Sequence, residues 1–77
     1  MKFLVVIEKG RKGFAAYFPD IEGCVAAGRT RRATEKAMRT ALEMHLEALR
    51  EEGLDIPPPR STSTYLEVAR KRAKGRS

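Results

Sequence analysis

Ten carboxylates, one cysteine and one histidine are the groups in this chain best suited to making or breaking bonds. Two-metal phosphodiester cleavage would need several carboxylates converging on ions about 4 Å apart. Outside the long helical segment the candidates are Glu8, Asp20, Glu22, Asp55 and Glu67. Asp20 and Glu22 flank a turn, Glu8 ends a strand, and no strand carries a central acid. Asp20 reads as a turn residue that hydrogen-bonds backbone two positions on. Cys24 stands among small apolar residues and reads as a packed hydrophobe rather than a nucleophile. His45 falls on an apolar helix stripe and reads as buried or half-buried. One histidine and one cysteine make no ligand set for a structural zinc. Gly10 and Gly13 are too close together, and lack the following helix, for a phosphate cradle. The expectation is a protein with no catalytic residues, no metal and no cofactor.

The cations are the other chemically distinctive group. Arg29, Arg31 and Arg32 gather where a helix begins, and its free amides also favour anions. Arg70, Lys71, Arg72, Lys74 and Arg76 form a basic C-terminal tail. The net charge is +6, yet residues 1–69 hold eleven Lys/Arg against ten Asp/Glu, so the body is close to neutral. Together the arginines and the tail suit salt-dependent, sequence-blind nucleic-acid binding. The blander reading of the tail is a solvated end that keeps the protein soluble. Few aromatics are free to stack bases: Phe3, Phe14, Tyr17, Phe18 and Tyr65 are the whole set, and several belong to the core.

These groups are positioned by few elements. Lys2 to Lys9 reads as a strand, apolar without alternation as if covered on both faces. Gly10-Arg11-Lys12-Gly13 is a turn, and Phe14 to Phe18 returns as the second strand of a hairpin. Pro19 ends it, having no N–H for a ladder. Cys24 to Ala27 is a short third strand of small residues. Thr30 is an N-cap whose hydroxyl accepts from Arg32 or Ala33. From there to Glu52 the apolar period is helical: Thr34, Ala37, Met38, Ala41, Leu42, His45, Ala48 and Leu49. Arg29, Arg31 and Arg32 oppose the helix dipole at that end. Gly53 is the C′ residue, and Ile56-Pro57-Pro58-Pro59 is extended. Tyr65 to Ala69 reads as a fourth strand. The order is β-β-β-α-β, an α+β fold with one long helix laid on a small sheet.

Seventy-seven residues make one domain, here residues 1–69 followed by the basic tail at 70–77. A core of this size supplies little net stability, and such chains often add a staple. A single cysteine forbids an internal disulfide and suits a reducing cytoplasm. Oligomerisation is the remaining staple, so a homo-oligomer, dimer or tetramer, is expected. Phe3 to Ile7 is too short for a secretory core, and no stretch approaches the roughly 20 apolar residues of a membrane helix.

Tyr17-Phe18-Pro19-Asp20-Ile21-Glu22-Gly23-Cys24, followed by Gly28, Thr30, Ala41-Leu42 and Ile56-Pro57-Pro58-Pro59, resembles the HicB-like antitoxins over residues 2 to about 68. The resemblance implies a partial RNase H-like fold of order β-β-β-α-β. It also implies a non-enzymatic role: binding and neutralising HicA, a small toxin with a double-stranded-RNA-binding fold that cleaves mRNA. Full-length relatives usually add a DNA-binding domain. Only nine residues follow Val68 here, so autorepression is not expected.

For such a partner the exposed sheet edge and the small third strand are the candidates. Tyr17, Val25, Ala27 and Tyr65 are the expected contact residues, with the two tyrosines as anchors. The second reading is a small nucleic-acid-binding protein working through Arg29, Arg31, Arg32 and the tail.

Overall fold

The computed structural model describes residues 1–70. Strand β1 (Val6–Lys9) pairs antiparallel with β2 (Phe14–Tyr17), which pairs antiparallel with β3 (Val25–Gly28). Helix α1 (Arg31–Glu51) follows directly. The sheet order is β1-β2-β3, so β1 and β3 are its edges.

The first strand is shorter than its apolar run suggests. The register sets Val6 opposite Tyr17, which carries Leu4 opposite Pro19. Pro19 has no N–H to give, so the ladder starts only after it. Phe3 to Ile7 are half-buried rather than covered on both faces, because α1 lies over β3 and β2 and leaves β1 at its margin. The β1–β2 turn closes through a 2.7 Å bond from Gly10 N–H to the Gly13 carbonyl.

Thr30 caps α1, its hydroxyl accepting from the Ala33 amide at 3.0 Å. Gly53, in the left-handed region at φ +71°, turns the chain out of the helix. The inward stripe is centred on Thr34 and Met38. Ala37, Ala41, Leu42, His45 and Leu49 are half-buried, while Ala48 is exposed. Leu46, outside the expected stripe, also packs on the core. The helix can approach the sheet this closely because position 28 lacks a side chain. A Cβ there would stand 2.7 Å from Thr34 Oγ1.

The core is small. Ala16 and Phe18 from β2 and its end, Ile21 and Cys24 from the following turn, and Met38 from α1 are its buried members. Phe3, Val5 and Ile7 pack against it from one side, Leu42 and Leu46 from another.

The fourth strand expected at Tyr65–Ala69 is not formed; residues 54–70 have no regular secondary structure. Ser63–Tyr65 share a cleft with Leu4–Ile7, the open edge of β1, without a ladder between them. The helix leaves β1 at the sheet margin, so a strand outside β1 would have no layer to bury its side chains against. Tyr65, Leu66 and Val68 are accordingly almost wholly exposed. The tail residues Lys71, Arg72, Lys74 and Arg76 lie outside the described residues.

Candidate functional site

Side chains alternate across a strand, so the register decides which residues share a face. Val6, Tyr17 and Val25 stand in one cross-strand row, and Glu8, Ala15 and Ala27 in the next. Ile7, Ala16 and Ala26, between these rows, turn toward the core. The two rows therefore form the face opposite the helix, and among the described residues no element covers its centre. Tyr17 is 42 % exposed and Val25 65 % exposed. This face is built of small and apolar side chains with Glu8 as its one charge. Water gains little from such a surface, and exposed apolar patches rimmed by charge commonly mark protein contacts.

Three of the four expected contact residues, Tyr17, Val25 and Ala27, are thus brought onto one surface. Tyr65 is not among them. It leaves the body fully exposed, beside the β1 edge. Val6 and Ala15 complete the face. Their role could have been found in sequence only by knowing the strand register.

The carboxylates do not converge. Among the described residues no group of three or more His, Cys, Asp or Glu side chains gathers as a metal site would require. Asp20 does something other than cap its own turn. Its Oδ2 accepts from the Arg60 and Ser61 amides, both at 2.8 Å, and its Oδ1 accepts from the Ser61 hydroxyl at 2.8 Å. Those bonds, the Ser61 amide and hydroxyl foremost, then the amide and charge of Arg60, hold its carboxyl below the usual range against the opposing effect of partial burial. The turn itself is closed by backbone, Ile21 N–H to the Phe18 carbonyl. Cys24 is buried, and loss of solvent pushes its thiol upward, away from the thiolate a nucleophile needs. His45 is half-buried on the helix.

The arginines expected to meet anions sit together with more company than the sequence suggested. Arg29 follows β3, and Arg31 and Arg32 open α1. The register places Lys9 opposite Phe14 and Phe14 opposite Gly28, so the β1–β2 turn with Arg11 and Lys12 lies at the same end of the sheet. A cleft there is lined by Lys9, Lys12 and Arg29, with one carboxylate, Glu8, and with Ala15 and Ala27 of the open face. Arg31 is partly neutralised by Glu35, 3.2 Å away. Arg70 is exposed, beyond the body.

Fold and face together define a small α+β scaffold with an open, largely apolar sheet face. The family model described as the HicB-like antitoxin of bacterial toxin-antitoxin systems matches residues 3–73, and the chain belongs to that family. Among solved structures it is similar to a chain of the HicA3 and HicB3 toxin-antitoxin complex, at 40 % identity and a TM-score of 0.61. The likeness covers 75 % of this chain and 72 % of that one. No curated protein matches it. No helix among the described residues is long and apolar enough to cross a membrane.

Proposed function

We propose that this protein is a non-enzymatic antitoxin that binds a HicA-like toxin through the open sheet face, and that it does so in the cytoplasm. The observation that carries the reading is the uncovered row Val6–Tyr17–Val25 on a member of the HicB-like family. The HicA3 and HicB3 complex supplies the kind of partner. Neutralisation by occlusion needs complementary surface and no reaction centre. An apolar patch with a tyrosine anchor at its middle suits it, since such anchors carry a large share of interface energy.

A toxin of this class, co-expressed with the chain, is expected to co-purify as a complex of defined size and to lose its RNA-cleaving activity. Val25→Asp places a charge on the exposed patch, beside Tyr17 on the edge strand β3. It is expected to weaken the complex at least tenfold, which is about 1.4 kcal/mol, while far-ultraviolet dichroism and the melting transition stay unchanged. Absence of a complex with the unaltered chain would remove the reading. Should Val25→Asp instead dissolve a homo-oligomer and leave toxin binding intact, the face belongs to self-association.

A further inference from the structure

Charge in this protein is segregated by position in the fold. Lys9, Arg11, Lys12, Arg29, Arg31 and Arg32, six of the eleven cations in residues 1–69, lie at the end of the sheet where α1 begins. Glu8 and Glu35 are the carboxylates on the same strand and helix ends, and Glu35 is engaged with Arg31. The far end of α1 carries Glu43, Glu47, Glu51 and Glu52 around one cation, Arg50, with Asp55 beyond it. The first helical turn contains no acid at all. Cations at a helix N-terminus and acids toward its C-terminus are the reverse of the stabilising arrangement. The side-chain charges add to the backbone dipole instead of offsetting it, and the field at the basic end is correspondingly stronger.

We propose that this end is a binding surface for the phosphate backbone of a double-stranded nucleic acid. Three separate segments contribute: the hairpin turn, the exit of β3 and the first turn of α1. Adjacent strands are about 4.8 Å apart, so the row Lys9–Phe14–Gly28 spans roughly 10 Å and sets cations on both sides of the cleft. The approach to that cleft is glycine-lined. Gly10, Gly13 and Gly28 keep its floor at backbone level, and a Cβ at Gly13 would stand 2.5 Å from the Gly28 carbonyl oxygen. Phe14, half-buried, is the one aromatic in its lining; successive bases of a single strand would need a run of such rings, which points away from single strands. Among the described residues no helix or strand beyond the sheet and α1 is present to enter a groove and read base edges. Contact is with the charged backbone alone, so DNA and RNA duplexes of equal length bind within a few-fold of each other. The cleft borders the open face, sharing Glu8, Ala15 and Ala27 with it, while the row Val6–Tyr17–Val25 that carries the toxin-binding reading is not part of it.

Fluorescence anisotropy of a labelled 20-base-pair DNA duplex, and of the matching RNA duplex, between 50 and 200 mM salt tests this with the full chain. About four neutralised phosphates give a slope of roughly −3 to −4 in log K against log salt, or about a hundredfold loss across that range. A variant carrying Lys12→Gln, Arg29→Gln and Arg32→Gln, all exposed positions, is expected to lose at least tenfold in affinity. Its slope becomes shallower by about three, with a melting transition that is not lowered and rises slightly as two cations leave the helix N-terminus. A second variant, neutralised at Arg70, Lys71, Arg72, Lys74 and Arg76, separates this surface from the tail. Loss of binding in the tail variant alone, or no binding of either duplex at 50 mM salt, would overturn the proposal. So would salt-sensitive association of the protein with itself that the triple variant abolishes while neither duplex is bound, which would assign the basic end to the acidic end of a second copy.

Discussion

Asp20 joins two parts of the chain that are 40 and 41 residues apart. Its carboxyl is held lower in the folded protein than in the unfolded chain, where the value is about 3.9. The clamp therefore contributes its full stability above that value, and the contribution is lost as pH falls through the lower folded value. Hydrogen exchange should show the Arg60 and Ser61 amides protected at neutral pH and opening selectively in acid below about pH 4, ahead of the sheet. Asp20→Asn keeps one acceptor and removes the charge. It is expected to expose the Arg60 peptide to trypsin at neutral pH and to erase the acid-dependent step; unchanged protection would show the clamp to be incidental. The sequence marked Asp20 as structural but named a local partner, because nothing in the spacing reveals a contact formed so far along the chain. Cys24 was legible from its small apolar neighbours. Its raised thiol predicts slow alkylation at neutral pH, approaching the rate of a free thiol only in denaturant. Gly28→Ala brings a methyl against Thr34 Oγ1 and its amide. A loss of about 1–3 kcal/mol in urea unfolding is expected, as for other overpacked sites.

At the scale of elements the helix was the most readable part, since a cap, a 3.6-residue period and a terminal glycine all agree on it. Thr30→Ala should cost about 1 kcal/mol by removing the acceptor for the Ala33 amide. The reversed end charges make a sharper prediction. Arg32→Glu puts an acid in a first turn that has none, so chemical unfolding should show a gain of about 0.3–1 kcal/mol. The same change should weaken duplex binding. Stability rising while binding falls is the signature of charges kept for contact rather than for folding. The strands were legible in type and order but not in length: Pro19 shortens β1 through its partner, an effect that needs the register. The fourth strand failed for a reason of layers. Tyr65, Leu66 and Val68 have strand chemistry, and local chemistry alone cannot say that the helix stops short of β1.

The body formed by the described residues is not spherical. Its radius of gyration is 17.2 Å, against about 11 Å expected for a chain of this length packed as a globule. The excess comes from a 21-residue helix, about 31 Å long at 1.5 Å per residue, on strands of four, and from the irregular segment beyond residue 53. So few buried side chains hold the fold that each matters. Met38→Ala should cost about 2–5 kcal/mol, a large part of what so small a domain possesses, and thermal melts should show it largely unfolded at 37 °C. The general architecture, one helix over a small antiparallel sheet, could be read from the sequence. The open face could be read only in part: Tyr17, Val25 and Ala27 were visible as candidates, whereas their union with Val6 and Ala15 depends on two pairings that no local pattern encodes.

The clamp at Asp20 also orders events in time. Hairpin and helix close over short loops, and each can form on its own within microseconds. The junction to Ser61 must wait until both are in place, because its loop spans more than half the chain and yields nothing until it shuts. That closing step is then a late fastening of a finished body.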